Sequence, residues 1–311
     1  MAGKEVTENR DKYIGGSDIP IIMGLSPFKT RYQLLLEKAH LKDVEEVSNP
    51  AIDYGNTMEP ILRRSHNYWE IPDVSKPFKP NTICDEWDVN KIPDDELSLR
   101  YNADGENEDA VLEIKTTSQI HDSLDGYKHY LVQLLFGMYM FEHSEGVLIV
   151  YERPEDYSTE IDPYRCHTYY IDADEYKDLM DEILAAIEQF RADFKRIKHN
   201  PFLTEEDLLP AEVVETSHKV IALEEKLAEF KQIEKQYKDL TDQLYTLMKE
   251  NGIKKWETPN GVKITLVEPL ADKIESRFNE EAFKESHPKL YNQYLKETTK
   301  KGRKGYIKIT L

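Results

Sequence analysis

The sequence predicts an α/β protein: a mixed central sheet flanked by helices, followed by a helical and β-hairpin C-terminal extension. Two observations carry this. Val111 to Thr117, Tyr127 to Phe141 and Val147 to Tyr151 read strand, helix, strand. Such a crossover makes the two flanking strands parallel. Behind residue 200 the pattern changes to a long helix, 213–250, whose apolar residues follow a 4-3 alternation.

The elements follow in order. Tyr13 to Asp18 (YIGGSD) is a turn and N-cap signature, and Ile19 to Met23 adds a turn or two of helix before Leu25-Ser26-Pro27 breaks it. Thr30 to Leu41 is helical, with Tyr32, Leu35, Leu36 and Ala39 in register, and so is Met58 to Trp69, with Pro60 in its first turn. Leu99 to Ala103 is a strand, joined to Val111–Thr117 by an acidic, turn-rich stretch, Asp104 to Asp109. Thr168 to Ile171 is a further strand. Asp172 and Asp174 offer N-caps for a helix over 175–198, which His199-Asn200-Pro201 ends. The boundary placed there gives domains 1–200 and 201–311. In the second, Leu223, Leu227, Phe230, Tyr237, Leu240, Leu244 and Leu247 form the stripe, with Ile233 one position off. Gly252 is a C-cap, Pro259-Asn260-Gly261 centres a hairpin over 256–267, Lys273 to Lys296 is helical, and Tyr306 to Leu311 is a last strand.

Composition narrows the function. The 311 residues carry a net charge of −19. It is uneven: 22 Lys and Arg against 40 Asp and Glu leave 1–200 at −18, and 19 against 20 leave 201–311 at −1. An acidic chain is a poor match for coating nucleic acid. An enzyme with a local basic groove, or with an acidic site neutralised by metal, stays open. Two cysteines, Cys84 and Cys166, exclude a disulfide framework and a four-cysteine zinc or iron–sulfur site. No apolar run reaches the roughly 20 residues of a membrane span, and Met1 to Arg10 has no apolar signal core. A cytoplasmic protein is expected.

The strongest chemical pattern is Asp104-Gly105 followed by Glu113-Ile114-Lys115. In a strand, residues i and i+2 share a face, so Glu113 and Lys115 point together. An antiparallel partner strand would set Asp104 across from Glu113. Two carboxylates with the Ile114 carbonyl make an all-oxygen site suited to Mg²⁺, and Lys115 beside it suits activation of a water or charge building on phosphorus. The same spacing also fits a surface hairpin with a cross-strand ion pair. Glu59 reads as an acid in the first turn of its helix, favoured by the macrodipole. Gln133, within an apolar stripe, needs a partner or a polar site. Ser17 and Asp18 read as caps, or as part of a loop that cradles an anion. No G-x-S-x-G elbow and no Walker phosphate loop is present.

Taken together, five blocks appear in order: Arg10-x6-Ser17 within a run through IGGSDIPIIMGLSPFKTRYQLLLEK, GNTMEPILRR (55–64), NADG (102–105), LEIKTT (112–117) and Tyr130-x2-Gln133. Over residues 10–200 the chain resembles the phage lambda exonuclease and YqaJ-like viral recombinase group of the PD-(D/E)xK nucleases. The resemblance implies a restriction-endonuclease-like core. Asp104 and Glu113 match the metal-binding carboxylates, Lys115 the catalytic lysine, Glu59 a helix carboxylate near the metal, and Gln133 a glutamine facing the site. Arg10 and Ser17 match a pair that holds the 5′-phosphate of a DNA end. The implied activity is an Mg²⁺-dependent 5′→3′ exonuclease, with Mn²⁺ able to substitute. It would act on linear double-stranded DNA and leave 3′ overhangs for a single-strand annealing protein. A ring-shaped homotrimer is implied, whose channel would be lined by a minority of Lys and Arg. A phage-type endonuclease and a decayed recombination scaffold are the alternatives. The short acidic loop 106–109 departs from the group's pattern, and the tail extends past the minimal fold; it packs on its own hairpin or the core, or serves as a docking surface.

Overall fold

The computed structural model describes residues 8–44, 49–69, 76–80, 82–268 and 278–294. Residues 1–210 and 211–311 form two compact units.

In the first unit β1 (Tyr13–Gly15) leads through α1 (Ile19–Ile22) to α2 (Arg31–Lys38) and α3 (Pro50–Trp69). Then come β2 (Thr82–Asp85), β3 (Ser98–Ala103), β4 (Gly105–Glu106) and β5 (Ala110–Thr117). Next are α4 (Lys128–Phe141), β6 (Glu145–Glu152), β7 (Cys166–Asp172), α5 (Lys177–His199) and α6 (Glu205–Leu208). The strands form two sheets, of order β1-β3-β2 and β4-β5-β6-β7. The second is mixed: β5 and β6 are parallel, as the crossover requires, while β4 and β7 add antiparallel edges.

Alternation along β5 and β6 divides the core. Val111, Leu148 and Val150 face α4 and α5, in a cluster with Leu134, Leu135, Phe190 and Phe194. Leu112, Ile114, Val147 and Ile149 face the other way, against Tyr54, Met58 and Leu62 of α3. Both faces of the parallel pair are therefore covered, which explains the continuous apolar run at Val147 to Tyr151.

Several expectations are corrected. Leu99 to Ala103 does not pair with Val111–Thr117; its strand lies in the other sheet, parallel to β1 and antiparallel to β2. The antiparallel partner of β5 is the two-residue β4, inside the stretch read as a turn. Tyr13 to Gly15, also read as a turn, is a strand. The α3 helix starts at Pro50, so Pro60 is interior and Glu59 lies mid-helix, far from any first-turn dipole. The first unit runs ten residues past the expected boundary, because Leu203 and Leu208 pack on its core and Tyr32 donates to the Leu203 carbonyl at 2.8 Å.

Close packing sets one local prediction. A Cβ on Gly137 would lie 2.4 Å from Cζ of Tyr101, a fully buried ring. Gly137→Ala gains about 1 kcal/mol of helix propensity but forces an overpacking cost of about 1–3 kcal/mol. The clash is with a ring held by a hydrogen bond to Glu113, so overpacking wins. A lower melting temperature by calorimetry is expected.

In the second unit α7 (Ala211–Glu250) ends in a Schellman motif: Gly252 has φ 65°, with bonds from Ile253 N to Met248 O and from Gly252 N to Lys249 O. Strands β8 (Lys255–Glu257) and β9 (Lys263–Thr265) form the hairpin, turning at Gly261 with φ 80°. Two short helices, α8 (Glu280–Ser286) and α9 (Pro288–Tyr294), occupy part of the 273–296 helical expectation. Phe278, Asn279 and His287 are not helical, and residues 273–277 and 295–296, with the strand expected at Tyr306 to Leu311, lie outside the described residues. The α7 stripe is exposed from Leu223 to Leu247.

Candidate active site

The carboxylate of Glu113 is almost wholly buried, at 1% exposure, and three side chains converge on it. Tyr101 on β3 donates its hydroxyl to Oε2. Gln133 on α4 donates to Oε1 at 2.6 Å, and the Lys115 ammonium sits 2.6 Å from that same oxygen. Local sequence explains each. Glu113 and Lys115 share a face through the strand period of two. Gln133 is the polar member of the Leu131–Leu135 turn, so its amide has the partner a buried amide needs. A buried Glu113 held this way is not half of a surface ion pair.

Asp104 stands where the chain passes from β3 to β4, between the two sheets. Gly105 pairs with Leu112, so the register continues to Asp104 opposite Glu113. The Asp104 carboxylate takes the place of a further ladder partner: its Oδ2 accepts the Ile114 N–H at 2.8 Å. Antiparallel geometry turns the Ile114 carbonyl to the same side. Burial holds the Asp104 carboxyl well above the usual carboxylate range, and Glu113 and Glu59 push it the same way against Lys115. Burial alone would pull the Lys115 amine down, but Glu113 and Asp104 outweigh it, and the ammonium is held above its ordinary value.

Glu59 is brought near Asp104 but not onto it. Its Oε1 accepts from Arg63 at 2.8 Å, and the same Arg63 nitrogen donates to the Asp104 carbonyl. Arg63 had no role read from sequence; its i+4 spacing from Glu59 was the available signal.

Arg10 and Ser17 meet: Arg10 Nη2 donates to Ser17 Oγ at 3.1 Å. Their loop is held from beneath by Lys38, a residue the sequence reading missed. Its buried ammonium donates to the Arg10 carbonyl at 2.8 Å and the Tyr13 carbonyl at 2.6 Å, and lies 2.7 Å from Asp18 Oδ2. Three protons meet three acceptors. Burial opposes the Asp18 charge, yet Lys38 and Arg10 hold its carboxyl below the usual range. Arg100 is stacked on the Tyr13 ring at 3.8 Å and paired with Asp85. One cleft of about 220 Å³ is lined by Arg10, Ser17, Arg100, Asp104, Glu113, Lys115 and Gln133. A second, more open hollow beside Glu86, Trp87 and Glu96 contains none of them.

Among the described residues, no three His, Cys, Asp or Glu side chains are grouped to hold an ion alone. The donor set of Asp104, Glu113 and the Ile114 carbonyl fits a small hard cation that keeps several waters. Asp104 is raised first by burial and then by the Glu113 and Glu59 charges, and a cation bound there would offset both. Lys115 occupies Glu113 Oε1 and would yield part of it.

Residues 6–143 match the model of the YqaJ-like viral recombinase domain. Over that span the chain is similar to the YqaJ-like viral recombinase domain. The matched span encloses Arg10, Ser17, Glu59, Asp104, Glu113, Ile114, Lys115 and Gln133. The uncharacterized protein YqaJ of Bacillus subtilis (strain 168) is 33% identical over 120 residues, which is 38% of this chain. The match spans about a third of that relative, 34% of its length. Among solved structures, the alkaline exonuclease LHK-Exo from Laribacter hongkongensis aligns with TM-score 0.43 and 16% identity, over 70% of this chain and 98% of that one. A phage-related exonuclease from Haemophilus somnus 129PT aligns with TM-score 0.44 and 14% identity, over 60% and 94%. Among the described residues, no helix is long and apolar enough to cross a membrane.

Proposed function

We propose that this chain is an Mg²⁺-dependent exonuclease of PD-(D/E)xK type, degrading linear duplex DNA from 5′ ends and leaving 3′ overhangs for recombination. One observation carries the reading: Asp104 and Glu113 face each other at a strand edge with Lys115 on Glu113, in the cleft that also holds Arg10 and Ser17. Asp104, Glu113 and the Ile114 carbonyl would hold the ion. A bound Mg²⁺ polarises a phosphodiester and lowers the pKa of an attacking water; Mn²⁺ supplies the same chemistry. Lys115 is placed to orient a water or to offset charge on a phosphate, while Tyr101 and Gln133 hold Glu113 in place. Arg10 and Ser17 offer a guanidinium and a hydroxyl to a terminal 5′-phosphate. That pair favours an end-directed enzyme over an endonuclease with the same ion site.

The proposal extends to a ring-shaped trimer in the host bacterial cytoplasm and to a single-strand annealing partner. In a chain of net charge −19, a narrow Lys- and Arg-lined channel reconciles acidity with DNA binding. The exposed Leu223–Leu247 stripe is a candidate contact for the partner.

The test uses linear duplex labelled at either end, with or without a 5′-phosphate, in Mg²⁺ or EDTA. Progressive loss from phosphorylated 5′ ends is expected, absent in EDTA and reduced by about 10²–10³ in Lys115→Ala. Cutting of covalently closed circles would instead support an endonuclease, and absence of digestion under every condition would overturn both.

A further inference from the structure

A cluster of rings stands beside Lys115, outside the cleft lining, and the chemistry above does not use it. Tyr130 lies with its ring 6.0 Å from the Lys115 ammonium. His129 packs against Tyr130 at 3.9 Å between centroids. Tyr127, buried, stacks on Tyr130 at 6.0 Å, and the exposed His121 meets Tyr127 edge-on at 5.0 Å.

His121 is exposed yet fixed. Its backbone N–H donates to the Tyr127 hydroxyl at 2.8 Å. Its ring fills the space that Gly126 leaves, where a Cβ would lie 2.3 Å from His121 Cγ. The His129 imidazole is held below its usual range by burial and by the nearby His121 and Lys115, so His121, His129 and Lys115 act on one another electrostatically. Rings held in place next to Lys115 offer preformed faces on which something flat can stack at little ordering cost. The surrounding charge selects what that is. Asp122 and Asp125 follow His121 in its loop and Lys128 adjoins His129, so the two acids around His121 disfavour a phosphate there but not an uncharged base, and the lysines favour the phosphate to one side.

We propose that His121, His129 and Tyr130 form a base-stacking subsite for the nucleotide next to the scissile phosphate. Lys115 and the carboxylates address the phosphate, and the rings take the base attached to it. Stacking on aromatic faces is indifferent to sequence, which suits an enzyme that must pass through any DNA. The inference rests on the nuclease reading and deepens it.

The experiment measures binding to a 5′-phosphorylated duplex by fluorescence anisotropy in Ca²⁺, and digestion in Mg²⁺. Wild type and His121→Ala/His129→Ala are compared on intact DNA and on DNA with an abasic nucleotide at each of the first four positions. The variant should bind intact DNA about tenfold more weakly, as loss of a stacked base implies, with KM raised more than kcat falls. One abasic position should weaken wild type by a similar factor and leave the variant unchanged. An unchanged melting temperature, or Tyr130→Phe binding like wild type, checks that the fold is intact and that the ring rather than the hydroxyl matters. Equal abasic sensitivity of variant and wild type would overturn the subsite alone. Failure of wild type to bind or digest any DNA would overturn the nuclease reading and the subsite with it.

Discussion

Asp104→Asn is expected to remove nearly all digestion while making the ion-free protein more stable. The activity loss follows from replacing a carboxylate that would hold the cation by a neutral amide, and about a thousandfold is the scale for losing such an electrostatic element. The stability gain follows from the raised Asp104 pKa. Its folded value lies well above 3.8 because burial and Glu113 disfavour the charge. Stability is therefore lost as pH rises from the unfolded value toward the folded one. At pH 7 the raised pKa is a standing cost, because the unfolded carboxyl is ionised there while burial and Glu113 oppose that charge in the fold. Asparagine keeps an oxygen for the Ile114 N–H and removes that cost. A rise of about 2–4 °C in melting temperature would correspond to ~1 kcal/mol in a domain of this size. The gain should vanish below pH 4, where both proteins are neutral at this position. Mg²⁺ should raise the melting temperature of wild type and not of the variant. A variant less stable than wild type at pH 7 would refute the electrostatic account.

Lys38→Met should have the largest effect on stability. It leaves the buried Asp18 without its main counter-charge and two carbonyls without a donor. Breaking a buried pair from one side costs about 3–5 kcal/mol, or about 10 °C in melting temperature. The loop it holds carries Arg10 and Ser17, so the preference for 5′-phosphorylated ends should fall as well. The depressed Asp18 pKa gives the sign with acid: its contribution is present above 3.8 and is lost as pH falls below that value. Lys38→Met with Asp18→Asn should recover much of the loss, because the pair is then absent rather than half present. No recovery in melting temperature would mean that the carbonyl contacts dominate.

The contrast between Glu113 and Lys38 marks what sequence can carry. Glu113, Ile114 and Lys115 follow a period of two within one strand, so their division between faces was legible. The crossover around Tyr127 to Phe141 was legible for the same reason, since its period differs from that of its neighbours. Lys38 has its acceptors at Arg10, Tyr13 and Asp18, far upstream, and nothing local distinguishes it from any lysine ending a helix. The β4 strand has two residues, too few for a period. The Asp104–Glu113 pairing was therefore expected from the right register but assigned to the wrong strand. Tyr13 to Gly15 reads as a turn from its glycines, and becomes a strand because β3 lies alongside it. Pro50 to Thr57 contains Asp53, Gly55 and Asn56, weak helix formers, and is helical because Tyr54 and Met58 pack under the sheet.

The brevity of β4 has one more consequence. A strand edge that continues past its partner invites a strand from another molecule, the usual route to aggregation. Along β5 the rung at Ile114, one past the end of β4, is already taken, by a side chain rather than a backbone. A carboxylate can close a rung without extending the sheet, since it offers no N–H for a next strand to accept. The residue assigned to the ion thus also keeps the sheet from growing, and this protein guards against self-association at the spot its proposed chemistry leaves open to DNA.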